Sequence, residues 1–260
     1  SETRHKFFRT KMALDKRIHV LATFCEGEEK SLKNRTLSSD HSSKLELMHV
    51  DARAQAEKDF FDAALNVMED RSMPSFIAKG NINREEVVKE IINLKADLIV
   101  CYGSSLIKSE LLEIYQGRFL NVHLGLSPYY RGSGTNVWPL INAEPDMVGA
   151  TFMFIDAGID TGQIIHQVRA DIVLGDSPHS IGTRLISKMT NVYCDIVANF
   201  QSLGLESQPK SEGKIYYNKD FNESACEKLY KNFSNDMIKE YLQQLDITNL
   251  SYIVENKALK

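Results

Sequence analysis

The stretch "DLIVCYGSSLIKSELLEIYQGRFLNVH", residues 97–123, decides the fold because it holds two strand patterns with a helix pattern between them. Residues 97–103 are almost continuously apolar and stop at Gly103, which is typical of a strand covered on both faces in a parallel sheet. Residues 109–115 have the apolar spacing of a helix, and residues 119–123 form the next apolar run. A strand, a helix and a second strand in this order predict a βαβ unit.

The rest of the chain continues this alternation on both sides of the unit. Further strand patterns lie at 17–25, 75–78, 148–156 and 162–168. Helix patterns lie at 2–14, 50–68 and 83–95. In the last of these, Asn83 is expected to cap the helix and Glu86 to complete a capping box. The pattern predicts an α/β fold, a Rossmann-like doubly wound domain with a mostly parallel sheet.

The domain organisation is predicted from the change of pattern near residue 177. Residues 1–176 are expected to form the catalytic domain, and 177–260 a helical C-terminal region packed on the same domain, with Pro178 in a first helical turn. Because a doubly wound domain normally opens on a central strand, a strand of about six residues is expected upstream of Ser1.

Composition narrows the class of protein. The 260 residues include 31 Lys and Arg against 35 Asp and Glu, a net charge of −4, and nucleic-acid binders usually carry a basic excess. No apolar run reaches the roughly 18 residues of a membrane span, and the charged start lacks a signal-peptide core, so a cytoplasmic protein is predicted. The four cysteines are dispersed without a CxxC pair, and no metal site is expected.

Two polar side chains end the strand at 119–123. Asn121 and His123 are two residues apart and therefore face the same side, at the end of the strand where open α/β sheets place ligands. Imidazole moves protons near neutral pH, and an amide donates to a developing oxyanion. Asp160, in the turn "DAGIDTGQ" between two apolar strands, could orient His123. The alternative is that these side chains only bond to neighbouring loop backbone.

Three stretches of the sequence resemble the folate-dependent formyltransferases. They are "LIVCYGSSLI" (98–107), "FLNVHLGLSPYYRGSG" (119–134) and "VGATFMFIDAGIDTGQIIHQ" (148–167). The family includes methionyl-tRNA formyltransferase, glycinamide ribonucleotide formyltransferase and the sugar N-formyltransferases. The resemblance covers about residues 97–168 and has one departure, Ser127 where the family usually has a second leucine before Pro128.

The resemblance implies a reaction and a set of site residues. The catalytic trio maps onto Asn121, His123 and Asp160, with 10-formyltetrahydrofolate as formyl donor and no metal. Asn121 would stabilise the tetrahedral oxyanion, and His123, held by Asp160, would move the amine proton toward the leaving folate nitrogen. The positions that match the family's pterin pocket are Tyr102, Gly103, Leu106, Asp156 and Gly158. Leu106 suits a core position equally well.

The acceptor is predicted from two further stretches, "YYRGSGTNVWPL" (129–140) and "GKIYYNKDF" (213–221). They look most like enzymes of polysaccharide biosynthesis that formylate an amino sugar on a nucleotide diphosphate. Arg131 could meet a phosphate or carboxylate, or remain a solvated loop arginine. Tyr129 and Trp138 could stack on a sugar or base, or serve packing.

Other functions stay open beside this one. They are a methionyl-tRNA or other small-amine formyltransferase, a 10-formyltetrahydrofolate hydrolase, and a binding protein that kept the pocket and lost the reaction. The acidic balance argues against a nucleic-acid partner. Residues 177–246 are predicted helical, so the C-terminal β-barrel of the tRNA enzymes is not expected. Apolar residues in the tail could form a homodimer contact or pack in the core; these are Leu229, Phe233, Tyr241 and Leu242.

Overall fold

The computed structural model describes residues 2–27, 34, 36–37, 42–156, 158–208, 213–245 and 250–259. The strands among them are β1 Thr23–Glu26, β2 Pro74–Ile77, β3 Ile99–Tyr102, β4 Phe119–His123, β5 Tyr130–Gly132, β6 Gly149–Phe154, β7 Ile164–Arg169 and β8 Lys214–Tyr216. The helices among them are α1 Thr3–Leu14, α2 Lys44–Val67, α3 Glu85–Asn93, α4 Ser109–Ile114, α5 Trp138–Ile141, α6 Pro178–Ala198, α7 Glu223–Ser234 and α8 Met237–Gln244.

The strands form three sheets among the described residues. The largest has the order β3–β4–β6–β7, in which β3 and β4 are parallel while β6 and β7 run antiparallel to their neighbours. β1 pairs in parallel with β2, and β5 in parallel with β8. The predicted βαβ unit is therefore present as β3–α4–β4. The antiparallel pair follows from the short β6–β7 connection, which cannot carry a crossover.

Helix α6 is the main buried helix of the molecule. Ser177 and Ser180 form a capping box in its first turn. The Ser180 amide donates to Ser177 Oγ at 3.1 Å, and the Ser177 amide donates to Ser180 Oγ at 2.8 Å. Four apolar side chains on one face are fully buried, Ile181, Leu185, Met189 and Ile196. α6 packs against β6, α1 and α2, and so it shares their hydrophobic core. The division at residue 176 stays a prediction.

Several local expectations are corrected. α2 begins at Lys44 rather than near residue 50, because Ser43 and Glu46 form a capping box there. Asn83 does not cap α3, which begins at Glu85 without a side-chain cap. The region 177–246, predicted helical throughout, contains the strand β8, whose partner β5 lies far away in the sequence. Nonlocal pairing of this kind leaves little signal in a three-residue window.

The described residues contain no helix that is both long and apolar enough to cross a membrane. Within the same residues, no group of three or more His, Cys, Asp or Glu side chains is placed to hold a metal ion.

Candidate active site

The end of β4 places His123 against Asp160. The His123 side chain is 7% exposed, and its Nδ1 lies 3.3 Å from Asp160 Oδ2. The same carboxylate oxygen accepts a hydrogen bond of 2.9 Å from the Gly132 amide at the end of β5. The β6–β7 loop therefore folds back to bring its aspartate to the histidine of β4, as the sequence predicted for this pair.

The loop that carries Asp160 is held in an unusual backbone conformation. Asp160 has φ of +52°, in the left-handed region that aspartate tolerates better than most residues. The loop is braced from within by the Asp156 carboxylate, which accepts bonds from the Gly158 amide at 3.0 Å and the Thr161 hydroxyl at 2.8 Å. Gln208 donates to the Asp160 carbonyl at 2.8 Å. These contacts fix the direction of the Asp160 carboxylate.

The second nitrogen of His123 is also engaged. Nε2 lies 2.9 Å from the Tyr130 carbonyl oxygen and 3.2 Å from the Thr135 hydroxyl. That hydroxyl donates its own proton to the Leu124 carbonyl, at 2.7 Å. Because a carbonyl oxygen only accepts hydrogen bonds, Nε2 is the nitrogen that donates to Tyr130.

Asn121 lies on the same face of β4 as His123 and is partly exposed. Among the described residues its side-chain amide makes no hydrogen bond, so that amide is available to a ligand. The neighbouring departure from the family pattern, Ser127, is fully buried. The Ser127 amide donates to Thr151 Oγ1 at 3.0 Å and its carbonyl accepts from Gln167 at 2.7 Å, so this position braces the loop after β4.

The residues predicted to line a pterin pocket are divided between two loops. At the end of β3, the Tyr102 ring packs edge-on against the rings of His5, at 4.9 Å, and Phe8, at 5.3 Å. Leu106 is 74% exposed, so the alternative of a core position for this leucine is wrong. Asp156 and Gly158 bond to each other inside the β6–β7 loop, which makes the carboxylate part of the loop's own scaffold.

Two side chains missed by the sequence reasoning hold the loop after β3. Asn83 donates to the Leu106 carbonyl and accepts from the Lys108 amide, both at 2.8 Å. Glu26, at the end of β1, accepts from the Ser105 amide at 2.6 Å. The position of Asn83 before a helix pattern predicted a helix cap. Its hydrogen-bond partners lie instead in a distant loop.

The residues predicted to contact the acceptor have different surroundings. Trp138 is 8% exposed and stacks on Tyr216, with ring centroids 4.4 Å apart, so one of its faces is used in packing. Arg131 bonds only the Gly213 carbonyl, at 3.4 Å, and no carboxylate of the described residues lies within ion-pair distance. Tyr129 is partly buried, and its carbonyl accepts from the Lys214 amide at 3.0 Å.

A cavity of about 1210 Å³ lies beside the loops that follow β3 and β5. Arg4, Arg53 and Lys79 line it together with residues of the 133–137 loop. Arg4 Nη1 lies 2.6 Å and Arg53 Nε 3.3 Å from the same carboxylate oxygen of Glu57. Burial, and then the charge of Arg53, lower the pKa of Arg4. Arg4 also pairs with Glu2, so two carboxylates face these two guanidinium groups.

Two further histidines, the buried His49 and the half-buried His179, lie close to this wall. The His49 and His179 rings lie 4.9 Å apart, and both bond to the Tyr230 hydroxyl, at 3.0 Å and 3.3 Å respectively. Burial is the main cause that lowers the pKa of His49 to about 3 and that of His179 to about 4. Both rings are therefore neutral at neutral pH.

The chain matches a known protein family over most of its length. Residues 17–197 match the family model described as Formyl transferase. A methionyl-tRNA formyltransferase of Alkaliphilus oremlandii is 32% identical over 133 residues, which cover 50% of this chain and 42% of that protein. The chain thus spans less than half the length of this relative.

Two solved structures share the fold of this chain. Glycinamide ribonucleotide transformylase 1 of Symbiobacterium toebii is 15% identical, covers 80% of this chain and 91% of its own, and has a TM-score of 0.52. Phosphoribosylglycinamide formyltransferase of Anaplasma phagocytophilum is 11% identical, covers 83% and 92%, and has a TM-score of 0.50. The Rossmann-like α/β fold is confirmed, and with the family match over most of its length the chain belongs to the formyl transferase family.

Proposed function

We propose that this chain transfers a formyl group from 10-formyltetrahydrofolate to the amine of a nucleotide-linked amino sugar. The observation that carries the proposal is the contact of 3.3 Å between His123 and Asp160, beside an Asn121 amide to which no described residue bonds. A proton-moving pair and an oxyanion donor on one side of one strand are what acyl transfer to an amine needs.

Each residue of the trio has a distinct part in the proposed step. A bond forms between the acceptor nitrogen and the formyl carbon, and the bond from that carbon to the folate nitrogen breaks. Asn121 donates to the formyl oxygen while it carries negative charge in the tetrahedral intermediate. The His123–Asp160 pair takes the proton lost by the amine and returns it to the departing folate nitrogen.

The route of the proton follows from the contacts of the pair. Both nitrogens of His123 are already bonded, and Asp160 Oδ2 is shared between His123 and the Gly132 amide. The other oxygen of Asp160 makes no hydrogen bond to the described residues. Nε2 already donates its proton to the Tyr130 carbonyl, so the proton of the amine enters through the free oxygen of Asp160.

The folate supplies the formyl group, and the loops after β3 and β6 would hold it. The exposed Leu106 and Ile159, at 74% and 46% exposure, offer apolar contacts suited to a pterin ring. Tyr102 and Gly103 would flank it at the end of β3. Asp156 and Gly158 would act by holding the β6–β7 loop in shape, since their polar groups are bonded to each other.

An anionic acceptor is supported by Arg131, which has no carboxylate partner among the described residues. Arg4 and Arg53 lie beside the cavity as well, but Glu57 and Glu2 already balance their charges. A diphosphate would pair with Arg131, since arginine binds phosphate in bidentate fashion. Tyr129 and Trp138 would lie near the same acceptor, with Trp138 acting mainly through packing.

Methionyl-tRNA is the second candidate acceptor because the curated relatives with 30% identity or more carry that name. Those matches span 42% and 33% of the relatives' own lengths, so they support the shared reaction more than the shared acceptor.

An acceptor panel tests the proposal. Tetrahydrofolate release is followed by absorbance with 10-formyltetrahydrofolate and UDP-, dTDP- or GDP-linked amino sugars, glycinamide ribonucleotide, or methionyl-tRNA. One amino sugar turning over well ahead of the rest is expected. Fastest turnover of the tRNA would replace the acceptor, and formate release without any amine would indicate a hydrolase.

The His123→Ala variant is the matched control for the chemistry. Turnover is expected to fall while folate affinity, measured by fluorescence quenching or calorimetry, changes little. Undiminished turnover in this variant would remove His123 from the mechanism.

A further inference from the structure

The backbone of β5 contacts both members of the His123–Asp160 pair. The Tyr130 carbonyl accepts from His123 Nε2 at 2.9 Å, and the Gly132 amide donates to Asp160 Oδ2 at 2.9 Å. His123 ends β4 and Asp160 lies in the β6–β7 loop, so two separate parts of the chain meet at β5. The position of β5 therefore sets the orientation of the imidazole and of the carboxylate together.

β5 is a short strand with little support from its own backbone. Among the described residues it pairs only with β8, in a two-stranded sheet with three residues in each strand. The Lys214 amide donates to the Tyr129 carbonyl at 3.0 Å. The Ser133 amide donates to the Tyr216 carbonyl at 2.8 Å. Because two strands alone are only marginally stable, contacts of their side chains are needed to hold β5 in place.

Two tyrosines form the buried side of this small sheet. Tyr130 is 5% exposed and Tyr216 is 4% exposed, and their rings stack with centroids 5.7 Å apart. Trp138 of α5 also stacks on Tyr216, at 4.4 Å. Burial of a phenol ring brings its hydroxyl out of water, where it needs a hydrogen-bond partner. The partners of these two hydroxyls therefore help to decide where the sheet lies.

Asn142 bonds to both phenol hydroxyls. It follows directly after α5, and its Nδ2 lies 3.0 Å from the Tyr130 hydroxyl and 3.0 Å from the Tyr216 hydroxyl. A side-chain amide carries two N–H donors, so one Asn142 serves both tyrosines. The Tyr130 hydroxyl in turn donates to the Glu144 carboxylate. Asn142 thus joins β5 and β8 to each other and to the end of α5.

The end of α5 is a firm anchor for these contacts. All four residues of α5, from Trp138 to Ile141, are buried. Asn232 of α7 donates to the Leu140 and Ile141 carbonyls, at 2.9 Å and 3.0 Å. The backbone amide of Asn142 donates to the Trp138 carbonyl at 2.9 Å. The Asn142 side chain therefore extends from a segment that the core and α7 hold on both sides.

We propose that Asn142 is a positioning residue for His123. Through the hydroxyls of Tyr130 and Tyr216 it holds β5, and β5 presents the carbonyl that accepts the Nε2 proton of His123. Its effect on turnover rests on the proposed function, because His123 has its catalytic part there. The contacts themselves do not depend on the identity of the acceptor.

The Nε2 proton of His123 gives a test that needs no reaction. Its exchange with water is followed by NMR in protein with ¹⁵N-labelled histidine, and His123→Ala assigns the signal. Asn142→Ala is expected to speed this exchange by at least about tenfold, because the Tyr130 carbonyl is then less firmly held against Nε2.

Tyr115→Phe is the matched control for loss of a buried hydrogen bond. The Tyr115 hydroxyl donates to the Ile91 carbonyl at 3.3 Å, in the hydrophobic cluster of α3 and α4. This variant should leave the exchange of the His123 proton unchanged. If Asn142→Ala does not fold, Tyr130→Phe/Tyr216→Phe takes its place, since it keeps both rings and removes only the hydroxyls.

Kinetics measures the consequence for catalysis. With the best acceptor of the panel, Asn142→Ala is expected to lower kcat about tenfold, because small displacements of reacting groups are costly. KM for 10-formyltetrahydrofolate should change less than about twofold. Tyr130→Phe/Tyr216→Phe should lower kcat by a similar factor, and adding Asn142→Ala to it should lower kcat no further, because the same contacts are removed.

Three outcomes would overturn the proposal. Unchanged exchange of the His123 proton in Asn142→Ala would mean that the Tyr130 amide, which donates to the Leu126 carbonyl at 2.9 Å, holds this backbone without Asn142. Equally fast exchange in Tyr115→Phe would indicate a general loss of stability. Additive losses of kcat would place the effect of Asn142 elsewhere. Faster exchange in Asn142→Ala, in a chain that formylates no acceptor, would support the role of Asn142 and contradict the proposed function.

Discussion

Asp160 is the residue on which the site depends most, because its carboxylate faces His123 and accepts from Gly132. Asp160→Asn keeps the size of the side chain and removes the charge that supports a protonated imidazole. Turnover is expected to fall by about 10²–10⁴-fold, the usual contribution of general acid–base catalysis. The measurement is kcat from tetrahydrofolate release.

Asp171→Asn is the control for that experiment, since Asp171 pairs with Lys188 on an exposed surface. It should leave kcat unchanged. Retention of normal kcat by Asp160→Asn would show that the contact with His123 is structural only.

Gly132 is the second residue of the site region, and its backbone conformation and surroundings favour glycine. Its φ is +89°, and a Cβ at this position would collide with the Tyr216 carbonyl oxygen of β8. Gly132→Ala is expected to destabilise the protein by more than the about 1–2 kcal/mol of left-handed strain alone. Urea unfolding measures the difference, with Gly117→Ala as control, since Gly117 has φ of +70° and open space around it. Equal losses in the two variants would contradict the collision.

At the residue scale, the pairing of His123 with Asp160 was accessible to sequence reasoning, and the contacts that hold the loop after β3 were not. Asn121 and His123 share a face by strand periodicity, and the turn holding Asp160 is a compact local motif. The roles of Asn83 and Glu26 depend on loops that lie 23 and 79 residues away in the chain. Local pattern contains no information about such partners.

At the element scale, α6 owes part of its stability to its first turn. Ser177→Ala removes the oxygen that accepts from the Ser180 amide. A loss of about 1 kcal/mol in the free energy of unfolding is expected. Ser177→Thr keeps a capping oxygen and should recover most of that loss in the same urea experiment. An unchanged midpoint for Ser177→Ala would mean that packing alone sets the start of α6.

The elements themselves were predictable where periodicity is long or strong. α6 and β3 lie where the apolar pattern predicted them. The pattern is strong because α6 buries one apolar stripe and β3 is covered on both faces. The antiparallel direction of β6 and the existence of β8 were not predictable. Both depend on pairing with β4 and β5, and pairing direction leaves no local trace in composition.

At the scale of the whole molecule, buried histidines tie stability to pH. The pKa of His49 is about 3 and that of His179 about 4 in the folded protein, both below the ordinary value near 6.5. Between the pKa of each histidine in the folded protein and its ordinary value, the unfolded chain binds more protons than the folded chain. Stability therefore falls as pH decreases from about 6.5 toward 4. Each histidine contributes up to about 1.4 kcal/mol per pH unit in that window.

The pH dependence is checked by urea unfolding at pH 7, 6 and 5. The double variant His49→Gln/His179→Gln should lose less stability between pH 7 and pH 5 than the wild-type chain. His19→Gln, at an exposed position, should follow the wild-type curve. Parallel curves for the double variant and the wild type would assign the pH effect to other groups.

The four cysteines of the folded chain are expected to react slowly with thiol reagents. All are free and buried, and burial raises the pKa of Cys101 and Cys194 to about 11 and that of Cys226 to about 12. Thiolate is the reactive form, so alkylation at neutral pH would wait for each region to open. Cys25 lies in β1 and Cys101 in β3, whereas Cys226 lies in α7. Mass spectrometry would show the order in which the cysteines are alkylated. That order would give the order in which the regions around them unfold.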